Sequence, residues 1–128
     1  MRLEVPIGPG ELIDKITILE IKAAQLSSAE KLANVRAELT ALVAARDAAI
    51  DASPDLARLT EALKSVNATL WQVEDQIRDC ERAGDFGPRF VALARSVYRT
   101  NDERAALKRQ INNLLEADIV EEKSYAAY

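Results

Sequence analysis

One group of side chains in this chain has the chemistry to bind a small anion. Arg104 falls on the apolar seam of a predicted helix, where a guanidinium needs a carboxylate, a stacked aromatic ring or a bound anion. Trp71, the only tryptophan, offers a ring face for such stacking. The predicted packing of two long helices brings these residues close together. The candidate binding set consists of Trp71, Glu74, Tyr98, Asn101, Arg104, Lys108 and Asp14.

Two interpretations of this set stay open at the level of sequence. In one, Arg104 grips a small anionic metabolite, sugar- or nucleotide-linked, with Trp71 beneath it. In the other, the charged side chains form salt bridges that orient the helices. If Arg104 is buried and paired, we expect Arg104→Leu to be tolerated, whereas removing only its carboxylate partner should cost about 3 kcal/mol or more.

Asp14 begins an apolar stripe that continues through Ile18 and Ile21, so we expect its carboxylate to be half-buried. Its partner would be a Lys or Arg from another helix. A structural ion pair is our first interpretation, and a ligand or general-base role is the alternative. Arg46 is predicted near the start of the first helix, either within reach of Glu11 or with its charge extended to water.

Several kinds of chemistry are excluded or unsupported by the residues present. With no His and one Cys, the chain has no Cys/His zinc site, no His-based acid–base catalysis and no intrachain disulfide. The adjacent acids Glu74 and Asp75 diverge by about 100° on a helix, so they do not form a metal clamp. We therefore predict no catalytic residues, no metal and no cofactor.

Long helices must position the candidate set. The third predicted helix has a continuous heptad seam, which requires cover from other helices. The seam residues are Leu56, Leu59, Leu63, Val66, Leu70, Val73, Ile77 and Cys80. A turn at residues 83–88 leads into a fourth helix from Pro88 to about Glu116. This helix is either continuous or broken at Thr100-Asn101, and its unshifted heptad register favours continuity.

The other helices are shorter. The first runs from the Gly8-Pro9-Gly10 segment to about Leu26, and a capping box of Ser27 with Glu30 should start the second. We predict one all-α domain over residues 1–128. It is an up-and-down four-helix bundle with a long antiparallel hairpin of helices 3 and 4 and short extended arms at both termini. In that hairpin Asn67 should lie near Arg104, and Glu74 near Tyr98.

Composition limits the classes of partner that we expect this chain to bind. Hydrophobic residues make up 48% and charged residues 30%, and the formal charge of −4 leaves no basic field for nucleic acid. Without a membrane-spanning run or an apolar signal sequence, the chain is predicted to be cytoplasmic, with no membrane partner. We also expect a homodimer, because the second helix is longer than the first and parts of the hairpin's apolar stripe then lack cover within the chain. The weakly apolar end of the second helix argues against it.

Three stretches resemble a small bacterial family of unknown function, namely residues 5–22, 70–113 and 121–125. Within the second, residues 80–86 and 94–104 carry most of the resemblance. It implies an all-helical protein, loosely associated with polysaccharide and glycosyltransferase neighbourhoods, and it carries over no catalytic residues. The function predicted from the sequence is a non-catalytic interaction or accessory module with a possible protein partner. The alternative is a binder or enzyme for a small anionic metabolite.

Overall fold

The computed structural model describes residues 1–117, 119 and 121–128, and within these ranges the chain forms helices and no strands. The helices are α1 (Pro9–Gln25), α2 (Ala29–Ala49), α3 (Pro54–Ala83) and α4 (Pro88–Leu114). The predicted all-α four-helix bundle with a long α3/α4 hairpin is confirmed. Helix α4 passes through Thr100 and Asn101 without a break, as its heptad register indicated.

The helix boundaries follow the capping residues closely. Ser53 accepts a hydrogen bond from the Leu56 amide at 3.1 Å and precedes Pro54 at the first position of α3. Gly84 closes α3 in the left-handed region, with φ of 66°. The prediction was wrong at α2, where Ser28 rather than Ser27 is the N-cap and accepts from the Lys31 amide.

Helix α1 is the centre of the assembly. It packs against each of the other three helices, whereas α2 contacts only α1 in the described part of the chain. The main apolar cluster joins α1 to both arms of the hairpin and is formed by Ile13, Leu56, Leu59, Leu63 and Ile111. The shortest helix is thus the one that holds the others together.

The hairpin has two unequal parts. At 1.5 Å per residue, α1 spans about 25 Å and α3 about 45 Å, so α1 cannot cover the whole hairpin. The part packed on α1, residues 54–67 with 104–114, is called the base, and residues 75–97 are called the distal hairpin. The base contains most of the buried hairpin residues, whereas Cys80 is the one buried residue among positions 75–97, all of which the structure describes.

Among the described residues, no helix has both the length and the apolar character needed to cross a bilayer.

Candidate functional site

Three polar side chains on α4 face the first turns of α1 and form what we call the polar ladder. They are Arg104, Lys108 and Asn112, spaced four residues apart and therefore on one face of the helix. Each meets a different group of α1, and because α1 and α4 are antiparallel the contacts follow in reverse order. The partners are the carboxylate of Asp14, the carboxylate of Glu11 and the amide of Gly10.

The first rung is a bidentate ion pair. Arg104 Nε lies 2.8 Å from Asp14 Oδ1, and Arg104 Nη2 lies 2.5 Å from Asp14 Oδ2. Asn67 Nδ2 also donates to Asp14 Oδ1 at 2.9 Å and to Thr17 Oγ1 at 3.0 Å. The Asp14 side chain is 1% exposed and that of Arg104 is 29% exposed, so the carboxylate is the more deeply buried partner.

Two opposing effects set the pKa of Asp14. Burial disfavours its ionised form, but hydrogen bonds from Arg104 and Asn67 outweigh burial and hold the pKa of Asp14 below its usual value. The hydrogen bond to Asp14 also raises the pKa of Arg104. The pair is therefore fully ionised at neutral pH.

The second rung is a buried lysine held between two acids. Lys108 Nζ lies 2.8 Å from Glu11 Oε2 and 2.5 Å from Glu121 Oε2, so the C-terminal tail contributes one of the two carboxylates. Burial lowers the pKa of Lys108, but hydrogen bonds to both acids reverse this effect and leave the pKa raised. The hydrogen bond from Lys108 lowers the pKa of Glu121.

The third rung explains the Gly8-Pro9-Gly10 segment. Asn112 Oδ1 accepts a hydrogen bond from the Gly10 amide at 2.8 Å, which satisfies a free donor of the first turn of α1. A Cβ atom on Gly10 would lie 2.5 Å from the Lys108 carbonyl oxygen. Only glycine therefore lets α1 approach α4 closely enough for the ladder to form.

The ladder is a closed hydrogen-bonded network. Throughout the described residues, no buried side-chain nitrogen or oxygen lacks a hydrogen-bond partner. The structure thus shows the predicted partner of Asp14 to be Arg104, and it confirms that Asn67 lies near Arg104. Arg46 contacts Asp47 instead, and Glu11 contacts Lys108.

The remaining members of the candidate set separate onto two surfaces. Trp71, Glu74 and Arg104 line a groove of about 460 Å³, whose apolar lining includes Ile18 and Ile21 of α1. We call it the Trp71 groove. Its other described lining residues are Asn67, Leu70, Asp75 and Arg78.

Tyr98 and Asn101 line a different depression, together with the C-terminal tail. The Tyr98 and Tyr128 rings contact edge to face with centroids 5.1 Å apart, and the Tyr128 hydroxyl donates to Asp102. That hydrogen bond raises the pKa of Tyr128. Glu74, which was expected near Tyr98, lies 3.8 Å from Arg78 on its own helix and lines the Trp71 groove instead of this depression.

The sequence alone did not lead us to Asn112 as a site residue. It also did not predict that Glu11 would pair with Lys108 or that Gly10 would donate to Asn112. The available signal was the four-residue spacing of polar positions 104, 108 and 112 on a helix whose neighbouring seam residues are apolar. Among the described residues, no three carboxylate or thiol side chains are grouped so that they could hold a metal ion. The arrangement can fix helix register through charge, and the Trp71 groove can receive an apolar group.

Fold and site together define an all-helical bundle whose core helix is held by buried ion pairs. The chain belongs to the family of unknown function DUF6165, whose family model matches residues 1–128. No curated protein and no solved structure matches the chain significantly.

Proposed function

We propose that this protein is a non-catalytic interaction or accessory module in which the polar ladder is structural and the Trp71 groove is the contact surface. The observation that carries the proposal is that both ladder cations are already neutralised within the chain. Arg104 is bound by Asp14, and Lys108 is bound by Glu11 and Glu121. No charged ladder group is left to recognise a ligand.

An anion at Arg104 would have to compete with a carboxylate that is built into α1. Asp14 is almost fully buried, so displacing it would leave an unpaired charge inside the bundle. Glu74 and Asp75 also line the groove and offset the positive charges of Arg78 and Arg104, so the lining has no net positive charge to attract an anion. These charges favour a structural role for Arg104.

The Trp71 groove has the character of a protein contact surface. Its apolar lining residues Ile18, Ile21, Leu70 and Trp71 are buried or half-buried, whereas Glu74, Asp75 and Arg78 of the same lining are exposed. An apolar centre with a polar rim, anchored by a tryptophan, is the usual anatomy of a protein–protein contact. The proposal further includes a homodimeric state and a bacterial, cytoplasmic location.

The alternative function is binding or turnover of a small anionic metabolite. It is supported by one observation, namely that the Arg104 side chain is 29% exposed and lines the same groove as Trp71. A ligand phosphate that reached the outer edge of the guanidinium would use this exposure.

Thermal denaturation in the presence of inorganic phosphate, UDP and UDP-glucose separates the two functions. For the module we expect no saturable rise in Tm with any of the three, in the protein as it stands or in Arg109→Gln. Arg109 is the matched control, since it is an exposed α4 arginine paired with Glu122 outside the groove. A saturable rise that persists in Arg109→Gln and is absent in Arg104→Gln would establish the alternative.

A further inference from the structure

We infer that the Trp71 groove is occupied by a second copy of this chain, with the two α3 helices antiparallel about a two-fold axis between Asp75 and Arg78. This inference rests on the proposed function and names its partner. It also specifies the pair of residues that must meet across the axis, and it is therefore open to a direct test by charge exchange.

The accessible surface of the chain is larger than its mass requires. A compact monomer of 14.1 kDa exposes about 6,700 Å², whereas this chain exposes 8752 Å². The excess of about 2,000 Å² is more than the roughly 800 Å² that each partner contributes to a standard interface. The exposed residues include those of both terminal arms and most of the distal hairpin, where Cys80 is the one buried residue among the described positions 75–97.

An antiparallel partner would bring the exposed apolar end of its hairpin to the level of the groove. Phe86 and Val91, at the end of the distal hairpin, are 54% and 51% exposed. With the axis between Asp75 and Arg78, the hairpin turn of the second copy lies at the level of Asn67 and Leu70, beside the Trp71 groove. Each copy then offers an exposed aromatic end and a groove with an apolar lining.

The charges on α3 favour a second copy over an unrelated helix. Asp75 and Arg78 are three residues apart, line the same groove and carry opposite charges. A two-fold axis between them brings each Asp75 to the Arg78 of the other copy, so that one contact is made twice. Within the described residues Asp75 has no ion-pair partner, and Arg78 has only a long contact to Glu74.

Charge reversal with sedimentation velocity tests the arrangement at tens of micromolar protein. The unmodified chain should sediment as a dimer, and Asp75→Arg and Arg78→Asp should each weaken dimerisation at least tenfold, because each places two like-charged pairs across the axis. An equimolar mixture of the two variants should form a heterodimer, since every pair is then of opposite sign. Both residues are exposed, so folding should be unchanged by circular dichroism.

Glu61→Arg is the matched control, because it reverses an exposed acid of α3 that does not line the groove. It should leave the dimer intact. Trp71, as the only tryptophan, gives a second readout: its emission should shift to shorter wavelength with rising concentration in the unmodified chain and in Glu61→Arg, but not in Asp75→Arg.

Two results would overturn the inference. One is a monomer at every concentration. The other is a dimer that tolerates both reversals, which would place the interface elsewhere. A monomer would also remove the homodimeric state from the proposed function. Neither result bears on anion binding, so the non-catalytic module itself fails only if the Tm experiment with phosphate and UDP shows ligand binding at Arg104.

Discussion

At the base of the α3/α4 hairpin, polar side chains are buried and fully hydrogen-bonded, whereas in the distal hairpin apolar side chains are exposed. The base buries Asn67, Lys108 and Asn112, and each has a partner on α1. The distal hairpin exposes Phe86 and Val91. Both parts belong to the same two helices, so the difference comes from α1, which reaches only one of them.

The comparison assigns different roles to the two parts. Hydrogen-bonded ion pairs inside a helical bundle fix which helix packs where and in which register, and they stabilise the fold only while both partners are present. An exposed apolar end contributes little to the stability of the monomer but provides area for association. We therefore expect substitutions at the base to affect folding and substitutions in the distal hairpin to affect assembly.

The largest expected effect at the base comes from Arg104→Leu. It removes the cation from Asp14, whose side chain is 1% exposed, and should lower the free energy of unfolding by about 3 kcal/mol or more. This reverses the expectation from sequence, because the deeply buried partner is the carboxylate and not the guanidinium. Arg109→Leu, in an exposed pair, should stay within about 0.5 kcal/mol in the same urea titration.

The free energy of unfolding should also change with pH in opposite directions in the unmodified chain and in Arg104→Leu. In the unmodified chain the folded-state pKa of Asp14 is lowered, so its stabilising contribution is present above the unfolded pKa and is lost as pH falls through the lowered value. Without Arg104, we expect burial, the largest single influence on this carboxyl, to outweigh the remaining hydrogen bond from Asn67 and to raise the folded-state pKa. The variant should then gain stability as pH falls from neutral, and a loss over that range would contradict the account.

A smaller effect is expected where α1 touches α4 through backbone. Gly10→Ala places a Cβ 2.5 Å from the Lys108 carbonyl oxygen, so α1 must shift, at a cost of about 2 kcal/mol. Gly87→Ala, in the turn of the distal hairpin, meets only the Asp85 side chain at 3.3 Å. Gly87→Ala should lower the free energy of unfolding by about 1 kcal/mol or less in chemical denaturation. If Gly10→Ala and Gly87→Ala lowered it equally, the distinction between the base and the distal hairpin would not hold.

The smallest effect concerns the tail. Glu121 is partly exposed, so Glu121→Gln should cost less than about 1 kcal/mol after solvent screening. Lys108 lowers the folded-state pKa of Glu121, so this contribution is present above the usual glutamate pKa and is lost as pH falls through the lowered value. The difference in unfolding free energy between the protein and this variant should therefore disappear in acid. A difference that persists at low pH would show another role for the side chain.

The sequence predicted the helices well because the α3 seam is regular and each helix has Ser, Pro or Gly at or next to its N-terminal capping position. It predicted the level of each residue along the axis of the hairpin but not the face of the hairpin on which its side chain lies. For that reason Glu74 was expected near Tyr98, yet the two residues line different grooves. The partner of Arg104 required the register of α1, which depends on the close approach at Gly10 and is not contained in any heptad pattern.

The central claim is that Arg104 serves to neutralise Asp14, and a double-substitution measurement tests it most directly. The free energy of unfolding at neutral pH should be compared for Arg104→Leu, Asp14→Asn and the two combined. The account predicts that the combined variant is more stable than Arg104→Leu alone by about 1 kcal/mol or more, because the second substitution removes the stranded charge. A combined variant that is as unstable as Arg104→Leu, or less stable, would contradict it.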